Sequence, residues 1–291
     1  MAKNFRFSFS NFAFNYLYFL FLLVFLSSLF SFYLRYTNIT EPIKSIVATQ
    51  EIPRAVDQTL IFLLAVIVST LIVLLILIKK YYFLLRVIYI SIFSLASFIF
   101  ISLFIQPLQA RLSLFSENLA FQLSLLINFF LSVFLIYGIF YSKNHIVQNH
   151  SLLVLSCIMG SIIGEVLQLI QLIILLLVFA IYDMVAVFLG PLKRIAKELE
   201  DIEQNVQKDG GEIFTRGMFM NLLNIEIGVG DLLLYSATAA NLSLLGATGI
   251  MYSIIAIVMG SVLTIILARK FKVFPGLPIP AFLTIFLVLF F

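Results

Sequence analysis

The sequence predicts an all-α polytopic membrane protein with nine transmembrane helices. Of its 291 residues, 63% are hydrophobic and only 11% are charged, and the mean hydropathy is +1.15. Soluble domains are about half apolar and about a quarter charged, so this composition excludes an ordinary soluble enzyme. Most charged residues lie between long apolar runs, as expected when those runs cross a bilayer.

Nine apolar runs approach the length of about 20 residues that a helix needs to cross the hydrocarbon core. The first run, FAFNYLYFLFLLVFLSSLFSFY, is too long for a signal peptide and has no small-residue cleavage site, so it is expected to remain as a span. The fifth and sixth runs are almost continuous, and Glu165, with Gln168 and Gln171 beyond it, is expected to mark the turn between them. We predict spans at about 12–34, 57–78, 82–105, 119–141, 146–164, 168–189, 225–243, 245–267 and 275–291.

Lysines and arginines predict a cytoplasmic amino terminus and an external carboxyl terminus. Thirteen of them fall on the side of the amino terminus, and four fall on the other side, namely Arg35, Lys44, Arg54 and Arg111. The longest polar stretch, residues 190–216, is then cytoplasmic. It fits either an amphipathic helix on the membrane surface or a solvated linker helix, since its apolar residues recur at Leu192, Ile195, Leu199 and Ile202.

Several kinds of chemistry are not expected. The single cysteine, Cys157, lies in an apolar run and is predicted to be a buried, inert thiol. The sequence has neither a phosphate-binding glycine loop nor a cluster of metal ligands, so no cofactor and no metal are expected. Membrane topology explains the net charge of +4 better than nucleic-acid binding does.

Two aspartates, Asp183 and Asp231, lie inside apolar runs. An ionised carboxylate at that depth costs at least about 2.5–3.5 kcal/mol, so each is a candidate for function. Alternatively, each is protonated or bonded to a nearby hydroxyl, such as Tyr182, Tyr235 or Ser236.

The two aspartates are predicted to lie at similar depths. If span six ends near Gly190 and span seven starts near Ile225, Asp183 lies roughly 10 Å and Asp231 roughly 9 Å inside the membrane from the same face. Adjacent antiparallel helices could then bring the carboxylates together.

Two glycine- and proline-containing motifs accompany the aspartates. Gly228 and Gly230 precede Asp231 in GVGD, where the missing side chains let a helix or a substrate backbone approach. Ordinary helix packing would explain them as well. In FPGLPIPAF, the three prolines make a regular helix start unlikely, and such backbone is tolerated at depth only where protein buries it or water reaches it. A simple interfacial loop is the alternative.

These motifs together resemble those of the presenilin and signal peptide peptidase family of intramembrane aspartyl proteases. The resemblance rests on Tyr182-Asp183 in span six, Gly228-x-Gly230-Asp231 in span seven, and Pro275-Gly276-Leu277-Pro278 at span nine, where the family has PALP. It implies a presenilin-like fold of nine helices, with Asp183 and Asp231 as the catalytic pair. Substrate-binding roles are implied for Tyr182, Gly228, Gly230, Pro275, Gly276, Leu277 and Pro278.

The resemblance also implies an activity and a division of the chain. Residues 1–164 would form a scaffold of five helices, and residues 165–291 would form the catalytic helices with a cytoplasmic loop at about 190–224. The two aspartates would activate water to cut within the membrane segments of single-span or signal-peptide-like substrates. No accessory subunit is expected to be required, a homo-oligomer is compatible with the sequence, and the short loops resemble those of archaeal homologues.

The segment 210–224 is expected either to gate or pair with the substrate, or to be a plain linker. Three rival functions stay open at this stage. A prepilin-type GxGD peptidase shares the aspartate chemistry but lacks the YD and proline motifs. A proton-coupled transporter or channel could use the two aspartates as a relay, and a catalytically silent scaffold is the third.

Overall fold

A computed structural model describes residues 9–41, 44, 52–79, 81–113, 117–188, 217, 219–222, 225–271 and 275–290. Within these residues the chain forms nine helices, a short 3₁₀ helix at Ser243–Leu245 and one hairpin of two short strands. The helices are α1 Phe9–Thr37, α2 Ile52–Ile78, α3 Tyr82–Leu112, α4 Glu117–Phe140, α5 His145–Val166, α6 Leu169–Phe188, α7 Val229–Leu242, α8 (Ala247–Ile254, a π-helical turn Ile255–Met259, and Gly260–Phe271) and α9 Pro278–Phe290. The strands are β1 Phe219–Leu222 and β2 Ile225–Gly228.

The described helices confirm the predicted all-α membrane architecture. Seven of them are long and apolar enough to cross a bilayer, and α7 and α9 are shorter apolar helices. The nine spans predicted from hydropathy correspond in order to α1 through α9. The chain is therefore a multi-pass integral membrane protein.

The start of span seven was predicted wrongly. Residues 225–228 form strand β2, which pairs antiparallel with β1 so that Phe219 lies opposite Gly228 and Met220 lies opposite Ile227. The β-branched Ile225 and Ile227 suit a strand, and glycine disfavours a helix interior. The helix begins at Val229, so Asp231 lies in its first turn and not a turn and a half inside it.

Two other boundaries also differ from the prediction. The turn between spans five and six lies slightly later than Glu165, because α5 continues through Val166 and the connection to α6 is at Leu167 and Gln168. The ninth helix begins at Pro278, inside the proline run where a regular helix start was not expected. Proline fits there because the first turn of a helix has no use for its missing N–H. The polar stretch 190–216 lies outside the described residues.

The protein core lies where α1, α5 and α7 meet. Helix α7 is buried from Leu234 through Leu242, and Cys157 on α5 is fully buried, as predicted. In contrast, α2 and α4 expose large apolar side chains such as Leu64, Phe129 and Phe134, which suits contact with lipid. The helix that carries Asp231 is therefore held inside the protein.

Two glycines of α5 let α7 approach its backbone closely. A Cβ added at Gly164 would collide with the carbonyl oxygen of Ala237, and one at Gly160 would come within 2.7 Å of the carbonyl oxygen of Leu233. Small residues at such positions allow membrane helices to pack backbone to backbone. The spacing of these two glycines thus fixes the position of α7 on α5.

An amide side chain forms hydrogen bonds at the other end of the interface between α5 and α7. The buried Asn241 on α7 donates from Nδ2 to the carbonyl oxygens of Gly164 at 2.8 Å and Leu167 at 2.7 Å. Carbonyl groups at the end of a helix have no partner within that helix, so these bonds satisfy the end of α5.

A charged cluster joins α1 to α5 at the same end. The side chain of Glu165 is fully buried and pairs with Arg35 Nε at 3.1 Å and Lys44 Nζ at 3.3 Å, and Ser31 donates a hydrogen bond to it. Arg35 also donates to Ser243 Oγ beyond α7 at 2.9 Å. A buried carboxylate is tolerated because two cations and a hydroxyl compensate it.

Candidate active site

Asp231 lies at the point where the hairpin passes into α7. Its carboxylate is partly buried in the first turn of the helix, where unpaired backbone N–H groups favour negative charge. Met220 of β1 and Ile227 of β2 are buried, so the hairpin is packed against the protein directly before this aspartate.

Asp183 projects from α6 and reaches the segment that precedes α9. Its Oδ2 accepts a hydrogen bond of 3.1 Å from the backbone N–H of Leu277. The carboxylate is partly buried, and its helical neighbours Ile181 and Val185 are exposed at 50% and 47%. Asp183 therefore occupies a less enclosed helix than Asp231 does.

The segment 275–278 lies between the two carboxylates. A Cβ added to Gly276 would collide with Oδ2 of Asp231, so the Cα of Gly276 lies against that carboxylate. The next residue, Leu277, donates its N–H to Asp183. The structure thus brings both predicted aspartates to one dipeptide at the amino-terminal end of α9, where the helix dipole favours anions.

The proline motif is largely buried, in line with the expectation that irregular backbone at membrane depth is covered by protein or reached by water. Pro275, Leu277 and Pro278 are buried, with Leu277 2% exposed, while Gly276 is partly exposed beside Asp231. A methyl group at position 276, where the family motif has alanine, would compete with the Asp231 carboxylate for space in this structure.

The other predicted site residues take different positions. Tyr182 is partly buried, and its ring packs edge-on against Phe179 of the same helix at 6.4 Å. Gly228 caps α7, and a Cβ there would lie 3.8 Å from Asp231 Oδ2. Gly230 is exposed, and a Cβ there would meet nothing within 4 Å, so helix packing does not explain this glycine.

Gly230 lines a small cavity among α3, α5 and α7. The cavity has a volume of about 120 Å³ and apolar walls that include Phe93, Leu152 and Leu233. A larger cavity of about 1030 Å³ lies beside Lys44, Glu165 and Ile173, at the end of α6 remote from Asp183. The smaller cavity reaches Val229 and Gly230, directly before Asp231.

Tyr235 has a partner that sequence analysis did not foresee. Its hydroxyl donates to the carbonyl oxygen of Gly276 at 3.0 Å. Ser236 instead bonds to Ser27 at 2.8 Å and to the carbonyl of Cys157 at 3.3 Å, in the α1–α5–α7 interface. The spacing of four residues between Asp231 and Tyr235, one helical turn, is the signal that could have pointed to Tyr235.

The fold matches that of a known class of membrane enzyme. A solved structure of a presenilin-family intramembrane aspartate protease superposes with a TM-score of 0.58 and 16% sequence identity, over 94% of this chain and 97% of that chain. The chain therefore has a presenilin-like fold of membrane helices.

A particular relative emerges from the sequence comparison. The chain is 29% identical over 153 residues to Presenilin-B of Dictyostelium discoideum. The matched region covers 52% of this chain and 31% of the relative, so the chain aligns with about a third of that protein's length. No family model matches the sequence. The resemblance to presenilins drawn from three short motifs is thus supported by sequence and by fold.

Proposed function

We propose that this protein is an intramembrane aspartyl protease in which Asp183 and Asp231 activate water. The observation that carries this proposal is the contact of both carboxylates with the Gly276–Leu277 dipeptide. Two carboxylates at one site in a low-dielectric setting cannot easily both ionise, so the pair holds one proton between them.

Because the pair shares one proton, one carboxylate can act as the general base and the other as the general acid. The ionised carboxylate takes a proton from a water molecule, and the protonated one donates its proton to the carbonyl oxygen of the scissile peptide bond. The resulting gem-diol collapses as a proton passes to the leaving nitrogen, which breaks the C–N bond and restores the pair. This sequence forms no covalent enzyme intermediate and uses only carboxylates and water.

The substrates we propose are transmembrane segments of single-span or signal-peptide-like proteins. A helix hides its carbonyl groups in hydrogen bonds, so a substrate must unwind locally, and its freed backbone needs partners at that depth. The hairpin β1–β2 ends three residues before Asp231, so a substrate strand added to it would lie beside the aspartates. The open space at Gly230 would admit the substrate backbone.

We propose that the chain divides as its motifs suggest. Residues 165–291 carry the proposed catalytic and substrate-binding groups. Residues 1–164 form the scaffold, since Gly160 of α5 lets α7 pack closely against it.

We also propose an orientation in which the amino terminus and the loop at about 190–224 are cytoplasmic. Impermeant maleimide would then label Lys143→Cys from the cytoplasmic side and Glu41→Cys from outside, with low background because Cys157 is buried. The opposite labelling pattern would reverse the orientation.

The deciding experiment is cleavage of a single-span substrate in liposomes by wild type, Asp183→Asn and Asp231→Asn. Each variant must first be monodisperse, and asparagine is chosen because it keeps the size of aspartate. We expect wild type to cut within the span and each variant to lose activity at least 100-fold, as expected for removal of a general acid or base. Undiminished cutting by either variant would refute the proposal. Proton flux through wild-type liposomes without cleavage would favour a transporter.

The role of residues 213–220, the last two of which belong to β1, has its own test. Proline scanning across residues 213–220 should reduce cleavage at the positions whose backbone N–H pairs with a strand, because proline lacks that N–H. If no position in the scan changes the cleavage of any substrate, the segment acts as a linker.

A further inference from the structure

Tyr235 is buried close to both aspartates. It follows Asp231 by four residues on α7, so the two side chains project from the same side of the helix. Its side chain is 4% exposed, and its hydroxyl donates to the Gly276 carbonyl at 3.0 Å. A buried tyrosine hydroxyl requires a partner, and here the partner is a backbone group of the segment between the carboxylates.

The peptide unit between Gly276 and Leu277 is hydrogen-bonded at both ends. Its carbonyl oxygen accepts from Tyr235, and its N–H donates to Asp183 Oδ2 at 3.1 Å. Because a peptide unit is planar, fixing the direction of the oxygen also fixes the direction of the N–H. The bond accepted by the oxygen also polarises the N–H and strengthens the bond that it donates.

Besides these two bonds, the Leu277 carbonyl accepts from the Ala281 N–H at 3.0 Å and the Gly276 backbone N–H interacts with Asp183. Pro275 and Pro278 have no backbone N–H, and glycine at position 276 leaves the backbone unusually free to rotate. Thr264 lies 3.5 Å from the same carbonyl, which is beyond the usual range, and bonds at 2.9 Å to Gly260 in its own helix. Of the two hydroxyl groups at the Gly276 carbonyl, Tyr235 therefore makes the stronger contact.

We propose that Tyr235 is a positioning residue that aims the Leu277 N–H at Asp183 through the Gly276–Leu277 peptide. The inference rests on the proposed function, in which Asp183 and Asp231 together activate a water molecule. Helix α7 then orients one carboxylate directly and the other through a hydrogen-bonded peptide. Tyr235 itself touches the backbone of the site and not the reacting atoms.

The first test compares Tyr235→Phe with Tyr33→Phe. Tyr33 is a matched control because its hydroxyl also donates to a backbone carbonyl, that of Phe104 at 3.3 Å, on α1 and α3 away from the aspartates. We expect Tyr235→Phe to lower kcat about tenfold with KM changed less than about twofold, since it removes one hydrogen bond and no substrate contact. Tyr33→Phe should leave both constants near wild type.

Amide hydrogen exchange gives a readout that needs no protease activity. In the segment 275–278 only Gly276 and Leu277 carry an N–H, so a short peptide covering it reports on few sites. Tyr235→Phe should speed their exchange several-fold, and Tyr33→Phe should not. Unchanged exchange in Tyr235→Phe would overturn the inference whether or not the protein cuts substrate.

A double-mutant cycle separates positioning from general loosening. Thr264→Val alone should have a small effect on kcat, and it should cost more in the Tyr235→Phe background, where Thr264 is the remaining hydroxyl at the carbonyl. Additive effects of the two substitutions on kcat would overturn the inference. So would a Tyr235→Phe enzyme with faster amide exchange and wild-type kcat. In either case, inactive aspartate variants would still support the protease function. If the aspartate variants cleaved as well as wild type, the proposed protease function would be refuted. Amide hydrogen exchange would still show whether Tyr235 holds the segment 275–278 in place.

Discussion

At the scale of single residues, Gly276 is a position where one added methyl group would meet a proposed catalytic carboxylate. Its Cα lies against the Asp231 carboxylate, which is the flexible end of a side chain and can turn away. An added methyl group therefore displaces the carboxylate more readily than it disrupts the fold.

We expect Gly276→Ala to lower kcat about 10- to 100-fold, because small displacements of a catalytic group carry costs of that order. The melting temperature should stay within about 2 °C of wild type. The measurement is cleavage of the single-span substrate alongside thermal unfolding in detergent. Wild-type kcat in the alanine variant would show that the space beside Asp231 is not limiting.

The residues of the site could be predicted from the sequence better than their contacts. Asp183 and Asp231 stand out because a carboxylate in an apolar run is costly. The bond from Leu277 to Asp183 joins residues that are 94 positions apart, and no local pattern encodes it. The aromatic Tyr235 among apolar residues of span seven gives no sign that its hydroxyl reaches Gly276.

At the scale of helices and strands, the contact between α5 and α7 sets the position of Asp231. Gly160 and Gly164 each lie against a carbonyl oxygen of α7, and backbone cannot rotate away as a side chain can. Separating the helices by even a few tenths of an ångström would also strain the Asn241 bonds to the end of α5.

Gly164→Ala should therefore destabilise the protein by about 1–3 kcal/mol, the usual cost of overpacking a tight interface. Gly230→Ala makes the same substitution on α7 where a Cβ meets nothing, and it should leave the stability unchanged or slightly raised. Thermal unfolding of both variants in the same detergent gives the comparison. Equal stabilities would mean that the helices adjust freely at Gly164.

Hydropathy predicted the helices well and their ends less well. The run from Ile225 to Leu242 is apolar throughout apart from a few residues, so hydropathy alone extends the helix over β2. The strand forms because β1 offers a partner at a specific register, which is a tertiary feature. Likewise Glu165 resembles a loop residue until Arg35 and Lys44, more than 120 positions away, are placed beside it.

At the scale of the whole molecule, the Glu165 cluster ties the end of α1 to α5 and to the turn after α7. The carboxylate is fully buried, while Arg35 and Lys44 remain 31% and 23% exposed. Removing the negative charge leaves two cations near each other without their shared partner.

We expect Glu165→Gln to lower the free energy of unfolding by about 2–3 kcal/mol, below the full penalty for a buried pair because both cations reach water. Glu41→Gln is the matched control, since Glu41 also pairs with Lys44, at 3.4 Å, but is 62% exposed. It should change stability by less than about 1 kcal/mol. Unfolding of both variants in detergent, at low and moderate salt, measures the two changes in stability. Equal losses of stability in Glu165→Gln and Glu41→Gln would contradict a structural role for the buried carboxylate.

The helices that carry the two aspartates are enclosed to different extents, which makes the surrounding lipid part of the proposed site. Ile181, Val185 and Phe188, around Asp183, are about half exposed, so acyl chains of the bilayer touch the turn of α6 that carries it. Asp231 stands on a helix that protein surrounds on most sides. Changes in acyl-chain length or fluidity would therefore act on one carboxylate and leave the other in place. The bilayer would then change the rate of the proposed reaction by changing the distance between Asp183 and Asp231.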